Sequence, residues 1–291
     1  WLGWTKAPPI IVEDTKGIVS TGWLLERIND PLIKVIDASW YLATMKRDPV
    51  AEYRLKHIPG AWFFDIEEIC DKQSDLPHMA PPGDQFFSAL KTSGIRKDHQ
   101  LIVYDGMGLF SSPRVWWLFK LMGHDKVAVL DGGLPKWMDE GRPITDRAES
   151  GEPFVGKPYL QNHLIADFDK VFVSVREQNC EIIDARSVGR FNGKEPEPRS
   201  GLRCGHIPGS RNIPFRKVLN EDNTLRDSCQ IEEIFRSAEI DLRKPLITTC
   251  GSGVTAAVLN LALSRIGYDN HSVYDGSWAE WGGRLSAPVA V

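Results

Sequence analysis

Two tandem α/β domains, each a mostly parallel sheet flanked by helices on both faces, are what this sequence of 291 residues predicts. Three observations carry that prediction. Four short blocks occur twice in one order at nearly one separation, β-rich runs alternate with helical patterns inside each copy, and a stretch rich in Gly, Pro and charge lies between the copies. A chain of this length has enough material for two cores of ordinary size.

The repeat is read residue by residue. Val35-Ile36-Asp37-Ala38 returns as Ile182-Ile183-Asp184-Ala185, and His57-Ile58-Pro59-Gly60 returns as His206-Ile207-Pro208-Gly209. The run from Leu101 through Asp105 and Gly106 to Gly108 returns as Leu246 through Cys250 and Gly251 to Gly253. Leu130-Asp131-Gly132 with Trp137 returns as Tyr274-Asp275-Gly276 with Trp281. The pairs Asp37/Asp184, His57/His206, Asp105/Cys250 and Asp131/Asp275 lie 147, 149, 145 and 144 residues apart, a duplication rather than a short-period solenoid. The expected boundaries are a first domain over 17–145, a linker over 146–164 and a second domain over 165–291. The passage from Gly141 to Pro158 supplies the Gly, Pro and charge that mark such a linker.

Within the first copy, the apolar runs around Val35 and Leu101 read as buried parallel strands. Ser112-Pro113 reads as an N-cap and N1 pair opening a helix from Arg114 to Met122. In the second copy Phe168, Val171, Phe172 and Val175 mark a helix just before the Ile182 strand. Leu246 to Thr249 reads as a strand, and Leu259, Ala262, Leu263 and Ile266 recur at helical spacing beyond the turn that follows it.

Composition narrows the function classes. Hydrophobic content of 42%, charged content of 25% and a net charge of -4 describe an ordinary soluble protein with no basic field for nucleic acid. The most apolar stretch, Val115 to Met122, is broken by Lys120 and is too short for a membrane span, so no membrane partner is expected. Five scattered cysteines form no C-x-x-C, and seven histidines form no His-x-His or His-x-x-x-His. No metal and no cofactor are therefore expected, and a reducing compartment, cytoplasmic or mitochondrial, fits best. The sequence begins at Trp1, which leaves open a targeting segment ahead of it.

Cys250 is the candidate nucleophile. It stands between an apolar strand and a helix, on the turn Gly251-Ser252-Gly253, where loop amides and the helix start would face its sulfur and stabilise a thiolate. Gly251 and Gly253 permit the backbone angles that crowd several N-H groups into one concavity. A lone strand-end cysteine is more often a buried small hydrophobe; the flanking turn and helix start reverse those odds. Cysteine phosphatases place an arginine six residues after the nucleophile, and here Ala256, Ala257 and Val258 follow instead, so phosphate chemistry is disfavoured. In the first copy Asp105 occupies the place of Cys250. That domain lacks the nucleophile, and its carboxylate reads as a structural anchor for loop amides. A small substrate is then expected between the domains.

From about Thr21 to Pro288 these residues resemble the rhodanese family, and within it the tandem-domain 3-mercaptopyruvate sulfurtransferases. The resemblance implies two tandem rhodanese-like domains, the second catalytic. Thiosulfate-preferring members carry basic residues in the loop that here reads Cys250-Gly251-Ser252-Gly253-Val254-Thr255 without charge. Arg190 and Arg199 resemble the family's substrate-binding pair; read by themselves they are more often a solvated patch paired with Glu195 and Glu197, and the loop motif turns the choice to the substrate role. Glu67, His78 and Ser252 match positions with an implied proton-handling role, although a family member can have Asp in place of Glu67, and His78 is equally a loop cap. His57 and His206 recur in both copies although one copy has no cysteine, which assigns them to turn structure.

The implied activity moves sulfur from 3-mercaptopyruvate through a Cys250 persulfide to thioredoxin, a small thiol or cyanide, leaving pyruvate and, after further reduction, hydrogen sulfide. The alternatives are a thiosulfate:cyanide sulfurtransferase and a noncatalytic rhodanese-like interaction module.

Overall fold

Strands buried on both faces favour apolar runs, and each copy gathers its runs into one parallel sheet, with Thr248, Thr249, His271 and Ser272 as buried polar exceptions in the second. The computed structural model describes residues 16–148, 150–154 and 159–291. Residues 149 and 155–158, part of the expected linker, lie outside the described residues. The first sheet holds β1 (Ile18–Val19), β2 (Ile33–Asp37), β3 (Trp62–Phe63), β4 (Gln100–Tyr104) and β5 (Val127–Leu130), in the order β1-β5-β4-β2-β3. The second holds β6 (Ile165–Ala166), β7 (Glu181–Asp184), β8 (Arg211–Asn212), β9 (Leu246–Thr249) and β10 (His271–Tyr274), in the order β6-β10-β9-β7-β8. All these pairings are parallel, and Asp37 lies opposite Tyr104 as Asp184 lies opposite Thr249. The central strands β4 and β9 therefore end at Asp105 and Cys250, on the carboxyl edge where open α/β sheets place their ligands.

The helices of the first copy are α1 (Thr21–Arg27), α2 (Pro49–Leu55), α3 (Gly83–Ala89), α4 (Ser112–Leu121) and α5 (Gly133–Asp139). Those of the second are α6 (Phe168–Glu177), α7 (Val188–Phe191), α8 (Ser228–Ser237), α9 (Ala256–Arg265) and α10 (Ser277–Trp281). Side-chain caps start several of them, including Asp167 on α6 and a full capping box of Asp227 with Gln230 on α8.

The α4 start departs from its expected form. Ser111, not Ser112, occupies the N-cap, and it makes no cap bond because its Oγ donates to Ala38 O at 2.7 Å. Ser112 lies inside the helix and donates to Asp105 Oδ2 at 2.7 Å. A second departure concerns α9. Every residue from Ala256 to Ser264 is buried, so the Leu259, Ala262, Leu263 spacing marks no single inward face. The helix lies between its own sheet and α4, and both helices belong to one hydrophobic cluster that crosses the domains, with Trp116, Trp117 and Phe119 from α4 and Val258, Leu259 and Leu261 from α9. Each domain closes its outer face with a separate cluster around Trp137 or Trp281.

The repeated histidines hold chain ends. His57 exchanges backbone bonds of 2.8 and 2.9 Å with Thr145, and its ring meets Tyr53 O. His206 does the same with Ala290 at 2.8 and 3.0 Å, its Nδ1 2.8 Å from Phe191 O.

Candidate active site

Cys250 directly follows β9 and lines a cleft of about 190 Å³, with 2% of its surface exposed. The cleft draws Trp40, Leu42 and Phe110 from the first domain and Arg186, Arg190, Arg199, Phe215 and the Cys250 loop from the second. A space of this size suits a molecule of a few heavy atoms.

The loop's backbone is turned so that its carbonyls face away from the cleft. Trp278 N donates to Cys250 O at 3.0 Å and Ala279 N to Gly251 O at 2.9 Å, both from the first turn of α10. The Cys250 amide itself points back to Ser277 Oγ at 3.2 Å. The next five amides, Gly251 to Thr255, donate to no described residue. Gly253 makes the turn possible at φ +76°, where a side chain would be strained and a Cβ would lie 3.0 Å from both Arg114 Nη1 and Asp275 O.

The first-domain loop shows what such amides do when an anion is built in. Asp105 accepts from Met107 N at 2.8 Å on one oxygen, and from Phe110 N, Ser111 N and Ser112 N at 2.9, 3.0 and 2.8 Å on the other. Asp105 is thus an anchor that saturates its own loop, and Cys250 stands where that anchor would be.

Behind Ser252, which lines the cleft, the first domain contributes a chain of polar groups. Ser252 Oγ is 3.0 Å from His78 Nδ1, and His78 Nε2 is 3.0 Å from Glu67 Oε1, which also accepts from Trp40 Nε1 at 2.6 Å. His78 is buried and Glu67 half-open to solvent. The His78 hydrogen bond is the main cause that holds the Glu67 carboxyl down at about 2. The three residues matched by resemblance therefore meet, although Ser252 and His78 lie 174 positions apart.

The two expected substrate arginines differ in their surroundings. Arg190 donates through Nε and Nη2 to Glu197, which is also bonded by the buried Arg186 at 2.6 Å, and Arg186 in turn by Asp184 at 2.7 Å. Gly251 packs against this guanidinium: a Cβ there would be 3.0 Å from Arg190 Nη2. Arg199 lines the same cleft and has no hydrogen-bond or ion-pair partner among the described residues. Burial lowers its affinity for the proton, and the Cys250 sulfur pulls in the opposite direction. Of the two acidic residues in this segment, Glu197 pairs with Arg190, whereas Glu195 accepts from Ser187 Oγ at 2.7 Å.

Sequence reasoning passed over Trp40, Arg114, Asp184, Arg186 and Asp275. The aspartates were visible as members of the repeated blocks. Arg114 carried no local signal, because its partner Asp275 is 161 positions away in the other copy.

The sequence profile of the rhodanese-like domain matches residues 20–140 and 171–284. The 3-mercaptopyruvate sulfurtransferase of Rattus norvegicus is 39% identical over 91% of this chain and 92% of its own. The thiosulfate sulfurtransferase of the same organism is 41% identical over 91% of this chain and 92% of its own. Among solved structures, SseA from Escherichia coli, described as a 3-mercaptopyruvate sulfotransferase, superposes with a TM-score of 0.83 at 38% identity, covering 91% of this chain and 99% of that one.

Proposed function

The chain belongs to the rhodanese family and is a sulfurtransferase; from that premise we propose that it takes sulfur from 3-mercaptopyruvate and carries it as a persulfide on Cys250. The observation that carries the choice of donor is the division of charge in the cleft. The loop from Gly251 to Thr255 is uncharged and offers amides, while the cations Arg190 and Arg199 stand outside it. Thiosulfate is a dianion and gains most from a cation beside the sulfur. Mercaptopyruvate keeps its carboxylate and carbonyl away from the sulfur, where two guanidiniums can grip a planar keto acid.

In the first half-reaction the Cys250 thiolate attacks the substrate sulfur and an S-S bond forms. The C-S bond breaks, and its electron pair leaves on carbon as pyruvate enolate, whose oxygen Arg199 and Arg190 neutralise. The proton originally on the substrate sulfur passes by way of Ser252 and His78 to that carbon, giving pyruvate. Glu67 keeps the imidazole oriented. The amides of Gly251, Ser252, Gly253, Val254 and Thr255 then hold the anionic persulfide much as the first-domain loop holds Asp105. In the second half-reaction an acceptor thiolate or cyanide attacks the outer sulfur, and Cys250 leaves as thiolate. Thioredoxin and small thiols are the proposed acceptors, with a domain lacking the nucleophile over 17–145, a linker over 146–164 and a catalytic domain over 165–291. All five cysteines are free, which suits a reducing cytoplasmic or mitochondrial setting.

Intact-mass analysis after mercaptopyruvate is the test. One added sulfur, removed by dithiothreitol and absent in Cys250→Ser, is expected; active protein without the adduct would overturn the carrier scheme. The relative named for thiosulfate keeps a second reading in play. Turnover of the two donors at matched concentration decides, with mercaptopyruvate expected to lead.

A further inference from the structure

Each domain pushes one left-handed residue into the other domain's loop. His78, at φ +61°, meets Ser252, and Asn223, at φ +60°, packs on Gly108, where a Cβ would lie 2.5 Å from the asparagine Cβ. Two residues beyond His78 the Ala80 amide donates to Asp275 Oδ2 at 2.8 Å. Two residues beyond Asn223 the Leu225 amide donates to Asp131 Oδ1 at the same 2.8 Å. The docking device is therefore the same on both sides of the interface, built from repeated aspartates after β10 and β5.

One group breaks the symmetry. On the Cys250 side Arg114, fully buried on α4, donates through Nη2 to His78 O and to Asp275 Oδ1, both at 2.6 Å, and through Nη1 to Gly253 O at 3.5 Å. Its guanidinium also lies 4.3 Å from the Trp117 ring. The corresponding turn of α9 carries Val258 and Leu259, so no arginine of the described residues hydrogen-bonds Asp131, and Arg265 at the far end of α9 acts on it only through its charge. Docking by itself does not need one. Nor is Arg114 an economical stabiliser, since its buried Nε has no hydrogen-bond partner among the described residues, and an unsatisfied N-H of this kind costs stability.

We propose that Arg114 is a positioning residue for sulfur transfer. It ties the backbone of His78 to that of Gly253 and so sets the separation across which Ser252 Oγ and His78 Nδ1 share a proton. The proposal rests on the function proposed above, in which that pair moves a proton from the substrate sulfur to the pyruvate carbon.

The test is a double-mutant cycle in the full chain with Arg114→Lys, which keeps a cation for Asp275 but cannot fork to both carbonyls, and Ser252→Ala. Alone, Arg114→Lys should lower kcat for mercaptopyruvate by about 10-fold or more while KM moves by less than about 3-fold, because Arg190 and Arg199 are untouched. In the Ser252→Ala background the same change should cost no more than about 2-fold, and iodoacetamide should alkylate Cys250 at a rate within about 2-fold of wild type. If the two losses multiply, or if KM rises with kcat retained, Arg114 is a docking residue and the proposal falls. Should Arg114→Lys not fold, Asp275→Asn, which frees the guanidinium from its counter-ion, must show the same kcat-against-KM split, and its absence overturns the proposal equally. Wild-type protein that gains no sulfur from mercaptopyruvate would refute the donor reading, and this inference with it; a loaded wild type with multiplying losses would refute the inference alone.

Discussion

Asp105 and Cys250 occupy one position in two copies of the same loop, and the difference between them separates an anchor from the proposed nucleophile. Asp105 consumes four loop amides, whereas those beside Cys250 are left for a ligand. Cys250→Asp should therefore rebuild the first-domain lock, abolishing sulfur transfer while raising the melting temperature, since hydrogen bonds to a charged acceptor are worth about 1.5–3 kcal/mol each. Calorimetry should register a rise of about 3 °C or more. Glu197 is the other residue with a sharp expectation. It is buried between Arg186 and Arg190, and Glu197→Gln leaves Arg190 without its counter-charge and Arg186 with Asp184 alone. The loss should be about 3 kcal/mol in denaturant unfolding, with a KM for mercaptopyruvate raised about 10-fold as Arg190 loses its bearing. The cysteine and its glycines were legible as residue types in a pattern, whereas both arginines were singled out only by resemblance to the family. The unequal pairing of Arg190 and Arg199 was not legible, because it depends on Glu197 folding inward beneath Arg186.

At the scale of elements, the central strands β2, β4, β7 and β9 were the most legible, since buried parallel strands leave an apolar trace in the chain, whereas an edge strand such as β8 is only Arg211-Asn212 and left none. The helices were less so. α6 follows its apolar spacing, with Val171 inward and Phe168 and Phe172 against Trp281. α9 defeats the same rule because it is covered on all sides, and the α4 start was misplaced because Ser112 serves Asp105 rather than the helix end. The turn between β9 and α9 depends on Gly253, whose positive φ coincides with close approach to Arg114 and Asp275. Gly253→Ala should cost about 1–3 kcal/mol and slow persulfide formation by a larger factor than it changes KM, readable from single-turnover mass spectrometry.

At the scale of the whole molecule, the two domains share one hydrophobic cluster through α4 and α9, and titratable groups are caught at their seam. Asp131 accepts the Leu225 amide across the interface, and burial lifts its carboxyl from 3.8 to about 6. The folded chain thus favours the protonated form. The stability this group contributes is full below pH 3.8 and is lost as pH rises through about 6. Asp131→Asn, which can still accept from Leu225, should be the more stable protein at about pH 7 and no better than wild type at about pH 4, as paired thermal melts would record. What the sequence determined by itself was the duplication, the sheet class, the strand-cysteine-glycine loop and the absence of charge within it, because each is written in neighbouring residues. Only the tertiary structure decided that His78 and Glu67 reach Ser252, that Arg114 bridges both halves of that contact, and that among the described residues Arg190 has a partner and Arg199 has none. Those contacts join positions up to 174 residues apart, and two copies of one fold must first bury their α4 and α9 faces together before any of them exists.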